Sequence, residues 1–261
     1  MQVCPHMLTI CSGSPPKTWT IERTLPVYPT HPTMPSVGRF RLRPCSLIIM
    51  NYFDIHTHSV PPQPSQAIVS VDVTSLPMNE NIVHASVGIH PWYLTENDEN
   101  IRLQELQTCI HSGKIIAIGE AGLDKLKGPS LNVQTSVFRQ EIALAEKHHL
   151  PMIIHCVRMF NELIQLKKEL APQQPWIIHG FRGKASVAQE LLRHSCWLSF
   201  GSNYQEEALQ ITPAQRLFIE TDESEEPIES IYFRIAKSRG ISAEELAETV
   251  KKNILEVFFK V

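Results

Sequence analysis

The 261-residue sequence contains no run of eighteen apolar residues, so no membrane-spanning helix is expected. It also lacks an excess of positive charge: 24 lysines and arginines stand against 27 acids, a net charge of −3. That balance excludes a strongly basic nucleic-acid coat, but not an enzyme that grips phosphates through metal ions inside a pocket. The six cysteines (Cys4, Cys11, Cys45, Cys109, Cys156 and Cys196) include no Cys-x-x-Cys pair and no finger spacing. Buried or free thiols of a reducing compartment are therefore expected, with a cytoplasmic location and no disulfide frame. No Gly-x-Gly-x-x-Gly follows the first strand-like segment, which counts against an open dinucleotide-binding sheet. Nothing in the sequence marks an obligate protein partner.

Residues 1–49 differ from the rest. Prolines recur at 5, 15, 16, 26, 29, 32, 35 and 44, Glu22 is the one acid, and no apolar period persists. The uncharged start and the absence of a 7–15-residue apolar segment leave no secretory signal expected, and the prolines disfavour an amphipathic transit helix. The expectation is a disordered extension over residues 1–49, or a stretch upstream of a native start at Met50. The folded unit then spans residues 50–261.

From Met50 onward, strand-like and helix-like segments alternate. The strand candidates are Tyr52–His58, Ala67–Val71, Ile82–Gly88, Ile115–Glu120, Met152–His155, Trp176–His179, Trp197–Gly201 and Leu217–Asp222. Helical spacing marks residues 98–112, 134–149, 161–170, 184–194, 205–210, 227–239 and 242–258, with Ser242 as an N-cap ahead of Glu244 and Glu245. Eight strands joined by helices or crossover segments predict an α/β fold, a (β/α)₈ TIM barrel.

In such a barrel the C-terminal ends of the parallel strands meet at one mouth, where the active site sits. Six strand-end residues are of metal-ligating type. They are His56 and His58 on the first strand, Glu120 on the fourth, His155 on the fifth, His179 on the sixth and Asp222 on the eighth. His56 and His58, two apart on one strand, share a face with Asp54. Any one of these histidines alone reads as structural. Together, four imidazoles and two carboxylates at one rim suit two divalent ions about 3.5–4 Å apart, with Glu120 able to bridge through its two oxygens.

Asp54-x-His56-x-His58, Gly88-Ile89-His90-Pro91, Gly119-Glu120-Ala121-Gly122-Leu123-Asp124, Ile154-His155, His179-Gly180-Phe181 and Glu220-Thr221-Asp222 stand in this order. This series resembles the signature blocks of the TatD family of metal-dependent hydrolases, barrels of the amidohydrolase type best known as deoxyribonucleases. Asn253 and Phe258 extend the resemblance to the last helix. It implies that His56, His58 and Asp222 hold one ion, that His155 and His179 hold the other, and that Glu120 bridges. Asp222 would also orient or deprotonate the attacking water, so Asp222 and Glu120 are the catalytic candidates. Asp54, His90 and Asp124 would support the ligands or touch substrate, or serve structure alone. Arg158 would face a phosphate or be an exposed helix arginine. Lys125, Lys127, Arg182 and Lys184 border the expected mouth, either steering a polyanion or as solvated charge.

The implied activity is phosphodiester hydrolysis at DNA ends, single-stranded ends above all, with Mg²⁺, Mn²⁺ or Zn²⁺. The alternatives are an amidohydrolase acting on a small ester, amide or phosphoester, and, least favoured, a non-enzymatic metal-binding protein. Two departures bear on substrate. The arginine after His155 stands three residues on rather than two, and Glu223-Ser224-Glu225-Glu226 replaces the usual segment after Asp222. An acidic run there favours a small or terminal substrate over a long strand.

Overall fold

The computed structural model describes residues 52–259. The expectations for residues 1–49, for a start at Met50 and for Cys4, Cys11 and Cys45 lie outside the described residues. Eight strands form one sheet in sequence order: β1 (Asp54–Thr57), β2 (Ala67–Asp72), β3 (His84–Gly88), β4 (Ile115–Asp124), β5 (Met152–Val157), β6 (Trp176–Ile178), β7 (Trp197–Phe200) and β8 (Leu217–Ile219). Every neighbouring pair is parallel. A bridge between Thr57 and Asp222 joins the two edges, so the sheet closes as the predicted barrel.

The strands read as near-continuous apolar runs because both faces are covered. Met152, Ile153, Ile154, Trp176, Ile177, Leu198 and Phe218 are all inaccessible or nearly so. The outer layer consists of α1 (Glu99–Cys109), α2 (Leu131–His148), α3 (Phe160–Leu170), α4 (Ala185–Arg193), α5 (Glu206–Ile211), α6 (Ile228–Arg239) and α7 (Ala243–Ile254). The longer helices lay apolar stripes on the sheet, as Val137, Phe138, Ile142 and Ala145 do in α2. Ser242 caps α7 as expected, its hydroxyl accepting the Glu245 N–H at 3.1 Å.

Several boundaries differ from the sequence reading: β1 stops at Thr57, β3 starts at His84, β6 stops at Ile178 and β8 at Ile219, so His58, His179 and Asp222 lie just past their strands. The fourth strand does not end at Glu120 but runs to Asp124, so Glu120 lies in mid-strand. The final helix stops at Ile254 and passes into a wider turn over Leu255–Phe259, which brings Phe258 against Phe218 and Phe259 against His84. The first two crossovers contain no α-helix, only short 3₁₀ turns at Pro64–Gln66 and Val73–Ser75. No helix among the described residues is long and apolar enough to cross a membrane.

Asn253 ties α7 to the barrel. Its buried amide donates to the carbonyls of Ala214 at 2.8 Å and Leu217 at 2.9 Å, fixing the approach to β8. Asn253→Ala strands both carbonyls and is expected to cost about 1–3 kcal/mol, read as a lower denaturant midpoint with an unchanged slope. An unaltered midpoint would show that the anchor is redundant.

Candidate metal centre

The site sits at the C-terminal ends of the strands, and small residues make room for it. A Cβ on Gly88 would stand 2.7 Å from the Glu120 carbonyl oxygen, so only glycine lets β3 pass this close to β4. At Gly122, φ is +146° and a Cβ would collide with the His155 carbonyl. The register between β4 and β5 shifts between Ile118 and Ala121, around Glu120.

The two oxygens of Glu120 face different partners. Oε2 lies 3.4 Å from His56 Nε2 and 3.5 Å from His58 Nε2. Asp222 Oδ1 lies 3.6 and 3.4 Å from the same two nitrogens. Donors about 2.1 Å from a common ion stand about 3.0–3.4 Å apart, so these four atoms are spaced nearly as the edges of a coordination shell. His56 is wholly buried, yet neither of its ring nitrogens has a hydrogen-bond partner. A buried imidazole facing two carboxylates across such gaps fits a cation held among them.

Oε1 of Glu120 lies 2.7 Å from His179 Nε2, 2.8 Å from His155 Nδ1 and 3.1 Å from His90 Nε2. The outer nitrogens of these rings distinguish their roles. His90 Nδ1 accepts the Trp92 N–H at 3.1 Å, so its proton sits on Nε2 and is donated to Glu120. His155 Nε2 instead donates to Asp124 Oδ2 at 3.0 Å, which leaves Nδ1 and Glu120 Oε1 as two acceptors face to face. That pairing requires a positive charge between them, either a proton or a metal ion. His90 is thus suited to hold Glu120. Among the described residues, ligand atoms lying within 4.8 Å of one another group His56 with His58 and Asp222, His56 with Glu120 and His179, His90 with Glu120 and His155, and His179 with Glu220 and Asp222. His155 and His179 therefore each meet Glu120 but share no such group.

Electrostatics follow the same pattern. Burial alone would raise the Glu120 carboxyl, but the charge of His179 and the contacts of His155, His179 and His56 hold it well below the usual range. Asp222 is likewise lowered, with His56 and His58 outweighing its burial. Burial and the neighbouring His179 would lower His56, yet Asp222 and Glu120 lift it to about 9. Carboxylates that hold positive charge this strongly when protons supply it are matched to a divalent ion.

The supporting contacts are extensive. Asp54 does not face the donors. Its Oδ1 accepts the N–H groups of His56 at 3.2 Å and Thr221 at 3.1 Å, and its Oδ2 accepts the Thr221 hydroxyl at 2.6 Å. Burial raises its carboxyl to about 7 against the pull of these donors. The Asp222 N–H donates to the His56 carbonyl at 2.9 Å and the His58 N–H to the Asp222 carbonyl at 3.4 Å, so Asp222 is pinned where the barrel closes. Its φ of +58° is one that Asp and Asn tolerate better than most residues. Asp124 also accepts the Trp92 indole N–H at 2.6 Å, and Gln134 grips its backbone from both sides.

Glu220 carries no role in the sequence reading, yet it is fully buried behind His179. Its Oε1 accepts the Gly180 N–H and stands 3.5 Å from His179 Nδ1. Strand alternation was the available signal, since it puts residues 220 and 222 on one face. A carboxylate behind a ligand imidazole fixes the ring and raises its basicity. Glu220→Gln is expected to weaken metal binding about 10–100-fold in equilibrium dialysis, and unchanged affinity would reduce Glu220 to packing.

Arg158 is exposed, has a φ of +57°, and does not line the cavity. Lys125, Lys127, Arg182 and Lys184 are exposed too. Lys127 stacks its ammonium 3.6 Å over the Trp92 ring, and Arg182 reaches to 3.9 Å from Asp222 Oδ2. The described cysteines, Cys109, Cys156 and Cys196, are free, and burial pushes all three thiols up to about 11 or 12.

Comparison with known proteins agrees with this geometry. An uncharacterized metal-dependent hydrolase of Bacillus subtilis, YabD, is 31% identical over 201 residues, covering 68% of this chain and 78% of the relative. The 3'-5' ssDNA/RNA exonuclease TatD of Enterobacter lignolyticus is 26% identical over 205 residues, 67% of this chain and 77% of the relative. The crystal structure of YjjV, a TatD homolog from Escherichia coli, superposes with a TM-score of 0.70 at 22% identity, covering 81% of this chain and 99% of that one. The model of TatD related DNase matches residues 57–259, and with that match over most of its length the chain belongs to the TatD-related DNase family.

Proposed function

We propose that the protein is a metal-dependent phosphodiesterase that hydrolyses DNA from an end, with His56, His58 and Asp222 holding one divalent ion, His155 and His179 a second, and Glu120 shared. The observation that carries this reading is the division of Glu120, whose Oε2 faces His56 and His58 while Oε1 faces His155 and His179. When bound, such a pair of ions supplies an acidified water and an electrostatic clamp on the phosphoryl oxygens. The protein's part is placement and proton handling. His90 donates from Nε2 to steady Glu120, Asp124 sets the tautomer of His155, and Asp54 holds the Thr221-Asp222 turn. Asp222 keeps Oδ1 toward the histidines and leaves Oδ2, beside Arg182, as the oxygen that takes the proton of the attacking water.

An imidazole-rich donor set suits zinc better than magnesium or manganese. The name of the Enterobacter relative supports strand ends as substrate. The three described cysteines are unbridged, Cys196 buried and Cys109 and Cys156 partly so, which supports a reducing, cytoplasmic setting. A small phosphoester is the second reading, favoured because no lysine or arginine is among the residues lining the cavity while Glu223 is. Amide hydrolysis ranks lower, since the shared ligand is a glutamate rather than a modified lysine.

The test incubates the full chain with end-labelled single-stranded DNA and Mn²⁺, Mg²⁺ or Zn²⁺, with and without chelator. Chelator-sensitive shortening is expected. Cleavage of bis(p-nitrophenyl) phosphate without shortening would shift the assignment to small phosphoesters, and cleavage of neither would contradict it.

A further inference from the structure

The cavity over the donors, about 710 Å³, is lopsided. Beyond the metal-ligating side chains its wall comes mainly from β2 and the crossover that follows, where apolar Val71, Met78 and Ile82 are interleaved with polar Ser70, Thr74 and Asn79. In a barrel of this class a crossover ordinarily lays a helix on the outer face. Here residues 73–83 are too short for that, and the chain turns at Val73–Ser75 and runs along the cavity instead. Asp72 locks the arrangement, accepting the Thr74 N–H at 2.8 Å and the His90 N–H at 3.0 Å, so the crossover is anchored to the block that carries His90.

Two aromatic rings complete the wall. Trp92 packs edge-on to His90 and His155 at centroid distances of 5.0 and 5.7 Å, and Lys127 covers one of its faces. Tyr93 stands 5.5 Å from His90 and is 56% exposed, a ring at the mouth with open area. The opposite rim is acidic, because Glu223 lines the cavity while Glu226, three residues on, is gripped by the Arg234 fork at 2.8 and 2.9 Å. No lysine or arginine among the lining residues is placed to meet a second phosphate.

We propose that the second crossover builds a subsite of mixed apolar and polar side chains for one uncharged aromatic group, of nucleobase size, attached to the single phosphate that the ion site holds. Met78, Val71 and Ile82 pack against the group and Tyr93 stacks on it, while Glu223 turns away a continuing polyanion. The volume matches one small ligand rather than a length of strand. The subsite admits either a free nucleotide ester or the last nucleotide of a single strand, since both present the same chemistry. The inference rests on the proposed hydrolytic reading only for where the phosphate sits.

The test compares the full-length protein with Met78→Asp, which sets a charge on the wall at a half-buried position outside the donor set, and Met78→Leu, which keeps it apolar. The substrates are thymidine 5′-(p-nitrophenyl phosphate), which carries a base, and methyl p-nitrophenyl phosphate, which carries none. Met78→Asp is expected to raise KM for the thymidine ester about tenfold with kcat within about twofold and to leave the methyl ester unchanged, while Met78→Leu is expected to match the wild type on both esters. Equal changes for both esters, or none for either, would overturn the subsite. Calorimetric binding of thymidine 5′-monophosphate against methyl phosphate to the zinc-loaded protein separates the two claims. Base-dependent affinity lost in Met78→Asp without turnover of any ester would refute the hydrolase and keep the subsite. Turnover with equal affinity for the two phosphates would do the reverse. End-labelled oligothymidylate assigns the source: parallel slowing of nucleotide release places strand ends in the subsite, and no shortening restricts it to free esters.

Discussion

Glu120→Ala is expected to lower turnover on the order of 10³-fold or more while the barrel stays folded. The Glu120 side chain faces both donor sets with its two carboxylate oxygens. Its loss removes a carboxylate oxygen from His56 and His58 and another from His155 and His179 in a single change. Several kcal/mol of transition-state stabilisation depend on ions in that position, and each 1.4 kcal/mol is about tenfold in rate. The fold should tolerate the change because the polar contacts of the Glu120 side chain are with histidines of the site and not with the backbone of the barrel. Melting followed by circular dichroism together with metal content separates the effects. A folded variant with fewer ions and little turnover is the expected result, and near-normal turnover would remove Glu120 from the chemistry.

Asp222→Asn is the second large effect, expected to cost on the order of 10²–10³-fold in kcat. Asparagine tolerates the +58° φ as aspartate does, so the backbone bonds to His56 and His58 survive and folding is spared. What disappears is the charge opposite His56 and His58, and with it the oxygen proposed to take the water's proton. Raising the metal concentration should restore occupancy but not rate. Recovery of full rate at high metal would assign Asp222 to metal binding alone.

Most of this site was legible because strand ends are legible. His56, His155, His179 and Asp222 each close an apolar run, and a parallel barrel brings such ends to one mouth. Glu120 was readable as a residue type but not as a position. The apolar run stops at Gly119, so the strand seemed to end, whereas glycine at 122 lets the backbone continue beside His155 to Asp124. The outward roles were harder. Whether His90 donates or ligates depends on the Trp92 amide at its other nitrogen, a local contact two residues on that is set by the turn geometry rather than by residue type. Glu220 and Asp54 look alike in sequence to the carboxylates that face the donors, yet Glu220 sits behind His179 while accepting the Gly180 N–H, and Asp54 accepts backbone and hydroxyl donors of the Thr221 turn. The short second crossover was visible as residue count, but its position along the cavity needed the anchoring of Asp72 to His90.

The measurement that bears most directly on the central claim is metal stoichiometry taken together with turnover. The full chain, stripped by chelator, is titrated with Zn²⁺ or Mn²⁺ while bound metal and phosphodiester hydrolysis are followed in parallel, for the wild type and for Glu120→Ala. The account predicts two ions per chain, activity that rises with their binding, and loss of both occupancy and turnover in the variant. Hydrolysis that persists in the stripped protein, or that survives Glu120→Ala at full rate, would contradict it.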